Sequence, residues 1–327
     1  MRLLVTGGAG FVGSHVVLAA LDRGDEVVVL DNLSTGHRAA VPAGAEFVLA
    51  ELADRRAVAE VFRAWRFDAV IHMAALSLVG ESMRDPLRYC RENVNNALIL
   101  AEEALRAGCH RFVLSSTAAL FGAPETQPID EEAAIAPASA YGESKAMIER
   151  ALAWAAETQH LAFCALRYFN AAGADPAGRA GEDHAPETHL IPLAIDAALG
   201  RREPLTVFGE DWPTRDGTPI RDYIHVSDLA SAHLAVLPRM QGGVLRYNLG
   251  NGRGTTVREV MAAVERASGA PVPHRVGPRR AGDPAVLVAA SERLMRETGW
   301  APKLGGIEEI VGTALAWRRA NPRGYRG

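Results

Sequence analysis

The run Gly7-Gly8-Ala9-Gly10-Phe11-Val12-Gly13 constrains this chain more than any other. It joins an apolar stretch, Leu3 to Thr6, to a segment with helical apolar spacing at Val16, Val17, Ala20 and Leu21. Strand, glycine turn and helix in that order open a parallel α/β unit. Gly8, Gly10 and Gly13 satisfy G-x-G-x-x-G, while Gly7, Gly10 and Gly13 satisfy G-x-x-G-x-x-G. The first glycines permit a tight turn and close approach of the backbone to a pyrophosphate on the helix N-terminus, and Gly13 lets the helix lie against the sheet. A second buried-strand pattern, Glu26 to Leu30, ends at Asp31, the distance at which an acidic side chain meets a ribose diol. Asn32 rather than arginine follows, which favours NAD over NADP.

Further strand-like runs at Glu46 to Leu49, Ala69 to His72, Phe112 to Ser115 and Ala162 to Arg167 alternate with helix-spaced stretches such as Asp54 to Trp65 and Asn93 to Ala107. This alternation predicts an α/β fold, a doubly wound parallel (Rossmann) sheet with helices on both faces. Ligands of such sheets bind at the carboxyl ends of the strands. There the sequence places the glycine turn, Asp31, Met73 to Ser77 after the fourth strand, and Ser115, Ser116 and Thr117 after the fifth. Beyond Gly173 the composition shifts to Pro, Gly, Asp and His, with turn-rich stretches at Ala174 to Glu187, Asp211 to Thr218 and Pro271 to Pro284. Two lobes are predicted: an NAD-binding domain over 1–173, and a smaller mixed α/β substrate lobe over 174–327, with the segment near 222–240 returning to the first.

Lys145 is one of only two lysines in 327 residues, and it stands four positions after Tyr141. Residues i and i+4 share a helix face, so the ammonium can lie beside the phenol and hold it partly ionised. A tyrosine of lowered pKa is a general base for a sugar or alcohol hydroxyl. The formal charge of −4 contains no run of one sign, which argues against nucleic acid or an anionic membrane as partner. No apolar stretch approaches ~18 residues, so no membrane span is expected. Cys90, Cys109 and Cys164 are odd in number and widely spaced, which points to a reducing cytoplasm. His72, His184, His189, His225 and His233 show no ligand spacing with cysteines or carboxylates, and no metal is expected.

Further segments complete a pattern: Asp31-Asn32-Leu33-Ser34, His72-Met73-Ala74-Ala75, Val79-Gly80-Glu81-Ser82, Asn93-Val94-Asn95, Ser115 to Ala119, the Tyr141/Lys145 pair, Leu166 to Asn170, Arg221 to Val226 and Arg279 to Asp283. In this order they resemble the extended short-chain dehydrogenase/reductases, and within them the UDP-glucose (UDP-galactose) 4-epimerases, across essentially the whole chain.

The resemblance implies redox epimerisation at C4 of a UDP-hexose. Tyr141 would take the O4 proton while the C4 hydride passes to a tightly held NAD, with Thr117 hydrogen-bonding the same oxygen and Lys145 orienting the nicotinamide ribose. Cofactor contacts are implied for Gly7, Gly10, Phe11, Val12, Gly13, Asp31, Asn32, Ser34, Glu51, Leu52, Met73, Ala74, Ala75, Ser77, Asn93, Tyr141, Lys145 and Tyr168. Contacts to the UDP-sugar are implied for Ser116, Thr117, Tyr141, Phe169, Asn170, His189, Leu190, Val207, Phe208, Arg221, Arg280 and Asp283, with the two arginines at the diphosphate. A homodimer is implied through the helices at Asn95 to Ala107 and Ala146 to Ala156. The chain departs from the commonest family pattern in four places. Thr117 replaces a serine, Ser77 stands where some members have lysine, His189 where some have asparagine, and Val286 and Leu287 where a tyrosine flanks the sugar. Alternatives are a 4-epimerase of another UDP-sugar (N-acetylhexosamine, pentose or hexuronate), a nucleotide-sugar dehydratase, or a non-catalytic NAD-binding protein. Ala118 and Ala119 count against the dehydratase, whose family carries Asp-Glu directly after the threonine.

Overall fold

The computed structural model describes residues 1–124, 126–280 and 282–325. In chain order its principal strands are β1 (Arg2–Thr6), β2 (Glu26–Asp31), β3 (Glu46–Leu49), β4 (Ala69–His72), β5 (Arg111–Thr117), β6 (Ala162–Tyr168), β7 (Asn170–Ala172), β8 (Leu205–Phe208), β9 (Ile220–Arg221), β10 (Tyr223–His225) and β11 (Val244–Leu249). Seven of them form one parallel sheet in the order β11-β6-β5-β4-β1-β2-β3. Strand order reverses between β1 and β4, the point where such sheets open a crevice at their carboxyl edge. The doubly wound parallel fold expected from the alternation is therefore the one observed.

The helices are α1 (Phe11–Asp22), α2 (Arg55–Ala64), α3 (Val79–Ser82), α4 (Pro86–Tyr89), α5 (Asn96–Arg106), α6 (Ala140–Thr158), α7 (Leu190–Ala198), α8 (Val226–Ala235), α9 (Val257–Ser268), α10 (Glu292–Thr298) and α11 (Ile307–Ala320). On one face of the sheet, Val16, Val17 and Ala20 of α1 pack with Leu229, Ala230 and Leu234 of α8 over Val27 and Val29. On the other, Val58, Val61, Leu100, Ile148 and Leu152 of α2, α5 and α6 cover Val28 and Leu30. A strand buried on both faces has no polar side to show, which is why Glu26 to Leu30 reads as a continuous apolar run. A separate core joins α7, α9 and α11 through Ile191, Ile195, Val260, Val264, Ile310 and Val311. None of the helices among the described residues is long and apolar enough to cross a membrane.

Three local readings need correction. Ser115 to Thr117 form the last residues of β5 rather than a loop after it. Helix α5 begins at Asn96, because Cys90–Asn95 is a π-helical turn, a wide turn found most often at functional sites. The edge strand β11 went unread, since Arg246, Tyr247 and Asn248 break up its apolar signal.

Candidate active site

The glycine turn is closed by sterics. Gly7 has φ of +72°, and a Cβ there would stand 2.5 Å from the Ala74 nitrogen. A Cβ on Gly13 would stand 2.1 Å from the Gly7 carbonyl oxygen. Helix α1 therefore starts hard against the ends of β1 and β4. Its N-cap, Gly10, brings no side chain, and the first turn carries no acidic residue, so the N–H groups of Phe11, Val12 and Gly13 are free for an anion. Asp31, the last residue of β2, accepts the Ala9 N–H at 3.0 Å and the Leu33 N–H at 2.8 Å, which locks its carboxylate beside the turn. Asn32 donates to Glu51 at 3.0 Å and accepts the Ser34 N–H at 3.0 Å, while the Leu52 side chain is core. A cradle without Cβ atoms, free helix N–H groups and a carboxylate on the next strand fit a dinucleotide's pyrophosphate and ribose diol.

The loop Met73 to Ser77 is held from the π-helical turn. Asn93 accepts the Leu76 N–H at 2.8 Å, donates to Leu76 O at 3.0 Å, and reaches Ser144 Oγ at 3.1 Å. Its amide is thus committed to shaping the loop, while Ser77 is exposed.

Tyr141 lies in the first turn of α6, which Ser139 caps by accepting the Gly142 N–H at 3.1 Å. Thr117, at the end of β5, sets its hydroxyl beside the Tyr141 phenol. Lys145, one turn further along α6, is buried and donates from Nζ to Ser115 O at 2.8 Å. Burial pulls the Lys145 pKa down to about 8, with the Glu149 carboxylate opposing it. Burial also pushes the Tyr141 phenol above its ordinary value, and the Thr117 hydrogen bond offsets this only in part. That direction is opposite to the one the i to i+4 spacing suggests, since desolvation and the neighbouring Tyr168 phenol both raise it. Tyr168 closes the group through its hydroxyl, 2.5 Å from Ser115 Oγ.

Ser116 does not share this arrangement. Its hydroxyl donates to Glu149 Oε1 at 2.6 Å, away from the phenol and into a buried ion pair with Arg167. Arg167 is part of the Leu166 to Asn170 segment, but neither Glu149 nor its pairing with Arg167 is read from the sequence. An acidic residue one helical turn after the lysine, on a helix face otherwise apolar, was the available signal.

On the far side of the crevice, Arg221 of β9 lies 3.7 Å from Asp283, and burial lowers its pKa. The Arg280 guanidinium sits 4.0 Å from the Phe208 ring centroid. Phe169 packs with Leu287 against Ala118, Phe121 and Ile129, and Asn170 N–H bonds to Asp222 O at 3.0 Å. His189 stands at the N-cap position of α7 without a side-chain capping bond, and Leu190 is the first helical residue. Val207 is core by its side chain, so only its backbone is left for a ligand. Ala281, between Arg280 and Asp283 in the motif, lies outside the described residues.

The sequence matches the NAD dependent epimerase/dehydratase family over residues 3–250. It is 45% identical to the UDP-glucose 4-epimerase of Halalkalibacterium halodurans, in an alignment covering 99% of this chain and 98% of that protein. The structure is similar to a crystal structure of a UDP-glucose 4-epimerase with a TM-score of 0.97 at 45% identity, covering 100% of both chains. It is also similar to the Bifidobacterium longum UDP-glucose 4-epimerase in complex with NAD+ and UDP, with a TM-score of 0.94 at 34% identity, covering 99% of this chain and 100% of that one.

Proposed function

The chain belongs to the NAD-dependent epimerase/dehydratase family, and from that premise we propose that it interconverts UDP-glucose and UDP-galactose through a 4-keto intermediate. The observation that carries the reading is the placement of the Thr117 and Tyr141 hydroxyls together, with Lys145 behind them, at the sheet edge that also bears the glycine cradle. The full-length likeness to UDP-glucose 4-epimerases supports the choice of sugar nucleotide.

Tyr141 is the base for the O4 proton, and Thr117 holds the same oxygen. The phenol must ionise against the cost of burial, so nearby positive charge is required, and Lys145 supplies it while still protonated. When bound, NAD would supply the hydride acceptor and donor for C4 that the side chains lack. Gly7, Gly10, Phe11, Val12 and Gly13 hold its pyrophosphate and Asp31 its ribose diol. Since the sugar must turn over between the two transfers, binding energy has to fall on the part that does not react. Arg221 and Arg280 serve the diphosphate, as guanidinium forks match phosphate oxygens. Ala118 and Ala119 after Thr117 offer no acid or base for elimination, which separates the reading from a dehydratase.

We place residues 1–173 in the NAD-binding lobe, with a returning segment that begins near 222 and runs past the expected 240 to the edge strand β11, and the rest of 174–327 in the sugar-nucleotide lobe. The packing of α8 beside α1 supports the return. Cys90, Cys109 and Cys164 are all free, which supports a reducing cytoplasm as the compartment. A homodimer is supported by apolar surface on α6 and the segment packed against it, where Met147, Trp154, Met83 and Leu87 are 39%, 68%, 61% and 75% exposed.

The test is incubation with UDP-galactose and no added cofactor. The reading requires UDP-glucose to form and NAD to be released on denaturation. A folded protein that converts nothing, even after NAD is added, refutes it.

A further inference from the structure

At the rim of the crevice, one loop gathers four metal-ligating side chains, one of them His189. Glu182, His184, Glu187 and His189 each place one ligand atom within 4.8 Å of all the others. Glu182 Oε1 lies 3.2 Å from His184 Nδ1, and His184 Nδ1 lies 3.6 Å from Glu187 Oε2. His189 Nδ1 is aimed at the same Glu182 oxygen. Metal–ligand bonds of ~2.0–2.1 Å at tetrahedral angles separate neighbouring ligand atoms by about 3.3 Å, a spacing that the Glu182–His184 and His184–Glu187 pairs come close to.

A second observation is independent of this spacing. Glu187 Oε2 is buried and has no hydrogen-bond partner, while its other oxygen accepts the N–H groups of Thr188 at 2.7 Å and His189 at 2.9 Å. The carboxylate is thereby fixed with Oε2 facing the cluster, where the His184 imidazole at 3.6 Å is too far for a hydrogen bond and a bound cation would complete its coordination. The rest of the loop is braced too. The His184 ring stands edge-on to Phe11 at 6.2 Å, Arg318 of α11 donates to Glu182 O at 3.4 Å, and Asp183 accepts the Tyr325 N–H at 3.0 Å.

We propose that Glu182, His184, Glu187 and His189 form a closed, four-ligand site for a divalent transition metal, with zinc the best chemical match. Two imidazoles and two carboxylates without a thiolate suit a borderline cation, and four protein ligands leave no open position for catalysis. The metal's role is therefore structural. It ties the loop and the cap of α7 to the first turn of α1, which fixes His189 and Leu190 at the edge of the crevice. The four residues follow one another as E-x-H-x-x-E-x-H, which corrects the expectation that the histidines lack a ligand spacing with carboxylates.

Metal binding is tested on chelator-dialysed full-length protein by adding Zn²⁺ or Co²⁺ alone. One zinc per chain by elemental analysis, a raised Tm, and the intense visible bands of tetrahedral Co²⁺ are expected. Glu187→Gln and His184→Gln should each lose the uptake and the bands while retaining NAD, and His110→Gln, on the exposed surface, should lose neither. Less than about a tenth of an equivalent of zinc taken up by the wild-type protein at tenfold excess would overturn the proposal. So would octahedral-type Co²⁺ spectra, or Glu187→Gln protein that binds as tightly as wild type. The wild-type stoichiometry and cobalt spectrum decide the matter even if a variant does not fold.

Discussion

Arg167 and Glu149 form an ion pair sealed from solvent, with the guanidinium Nε and Nη2 donating to both carboxylate oxygens at 2.6 to 3.2 Å. Ser116 adds a donor to the same carboxylate, and Arg167 Nη1 is satisfied by Glu131 O at 3.1 Å. Glu149 follows Lys145 by one turn of α6, and its charge opposes the fall that burial imposes on the Lys145 pKa.

Removing one partner leaves a buried charge without its counterpart. Glu149→Gln should lower the unfolding free energy by about 3–5 kcal/mol, read from denaturant midpoints at unchanged m value. A loss under about 1 kcal/mol would mean that the pair is solvated or replaceable.

Gly13→Ala tests the cradle. Its new Cβ would meet the Gly7 carbonyl oxygen at 2.1 Å, which forces the helix away from the turn. The variant should fold but release its NAD during purification. Cofactor content equal to wild type would contradict the role given to this turn.

Acid should destabilise the fold through buried histidines. Burial holds His72 at about 3 and His225 and His233 at about 4, against an ordinary 6.5. Between those values and 6.5 the unfolded chain binds protons that the folded chain does not, so stability rises with pH there and is lost as pH falls from 6.5 toward 4. Each histidine contributes roughly 1.4 kcal/mol per pH unit in that window. The buried carboxyls of Asp222 and Asp228, raised by burial, act in the opposite sense. A Tm flat from pH 7 to 4.5 would show that the histidines are hydrated.

Trp154 and Met147 lie seven residues apart on one face of α6 and are both exposed. Trp154→Glu should convert a dimer to a monomer in sedimentation velocity. A wild-type protein that sediments as a monomer at all concentrations would remove the dimer from the account.

The sheet was legible because β1, β2 and β4 to β6 are buried on both faces and carry apolar runs through their middles. The dinucleotide turn was legible because Gly7 and Gly13 occupy positions that a Cβ would close. What escaped notice depends on pairing across the chain. Glu149 finds Arg167 18 residues on, and the charge balance around Tyr141 depends on desolvation, which no i to i+4 spacing reports. Ser116 is a sugar contact by resemblance, but alternation along β5 turns its side chain to the face opposite Thr117, which no family pattern reports.

The most direct test of the central claim is to follow deuterium from C4 of UDP-galactose in ordinary water. Oxidation and re-reduction by one bound cofactor predicts UDP-glucose that retains the deuterium at C4 and takes none of the solvent's hydrogen, with Tyr141→Phe slowed by about 10²-fold or more. Loss of the label to solvent, or a Tyr141→Phe enzyme of undiminished rate, would contradict it.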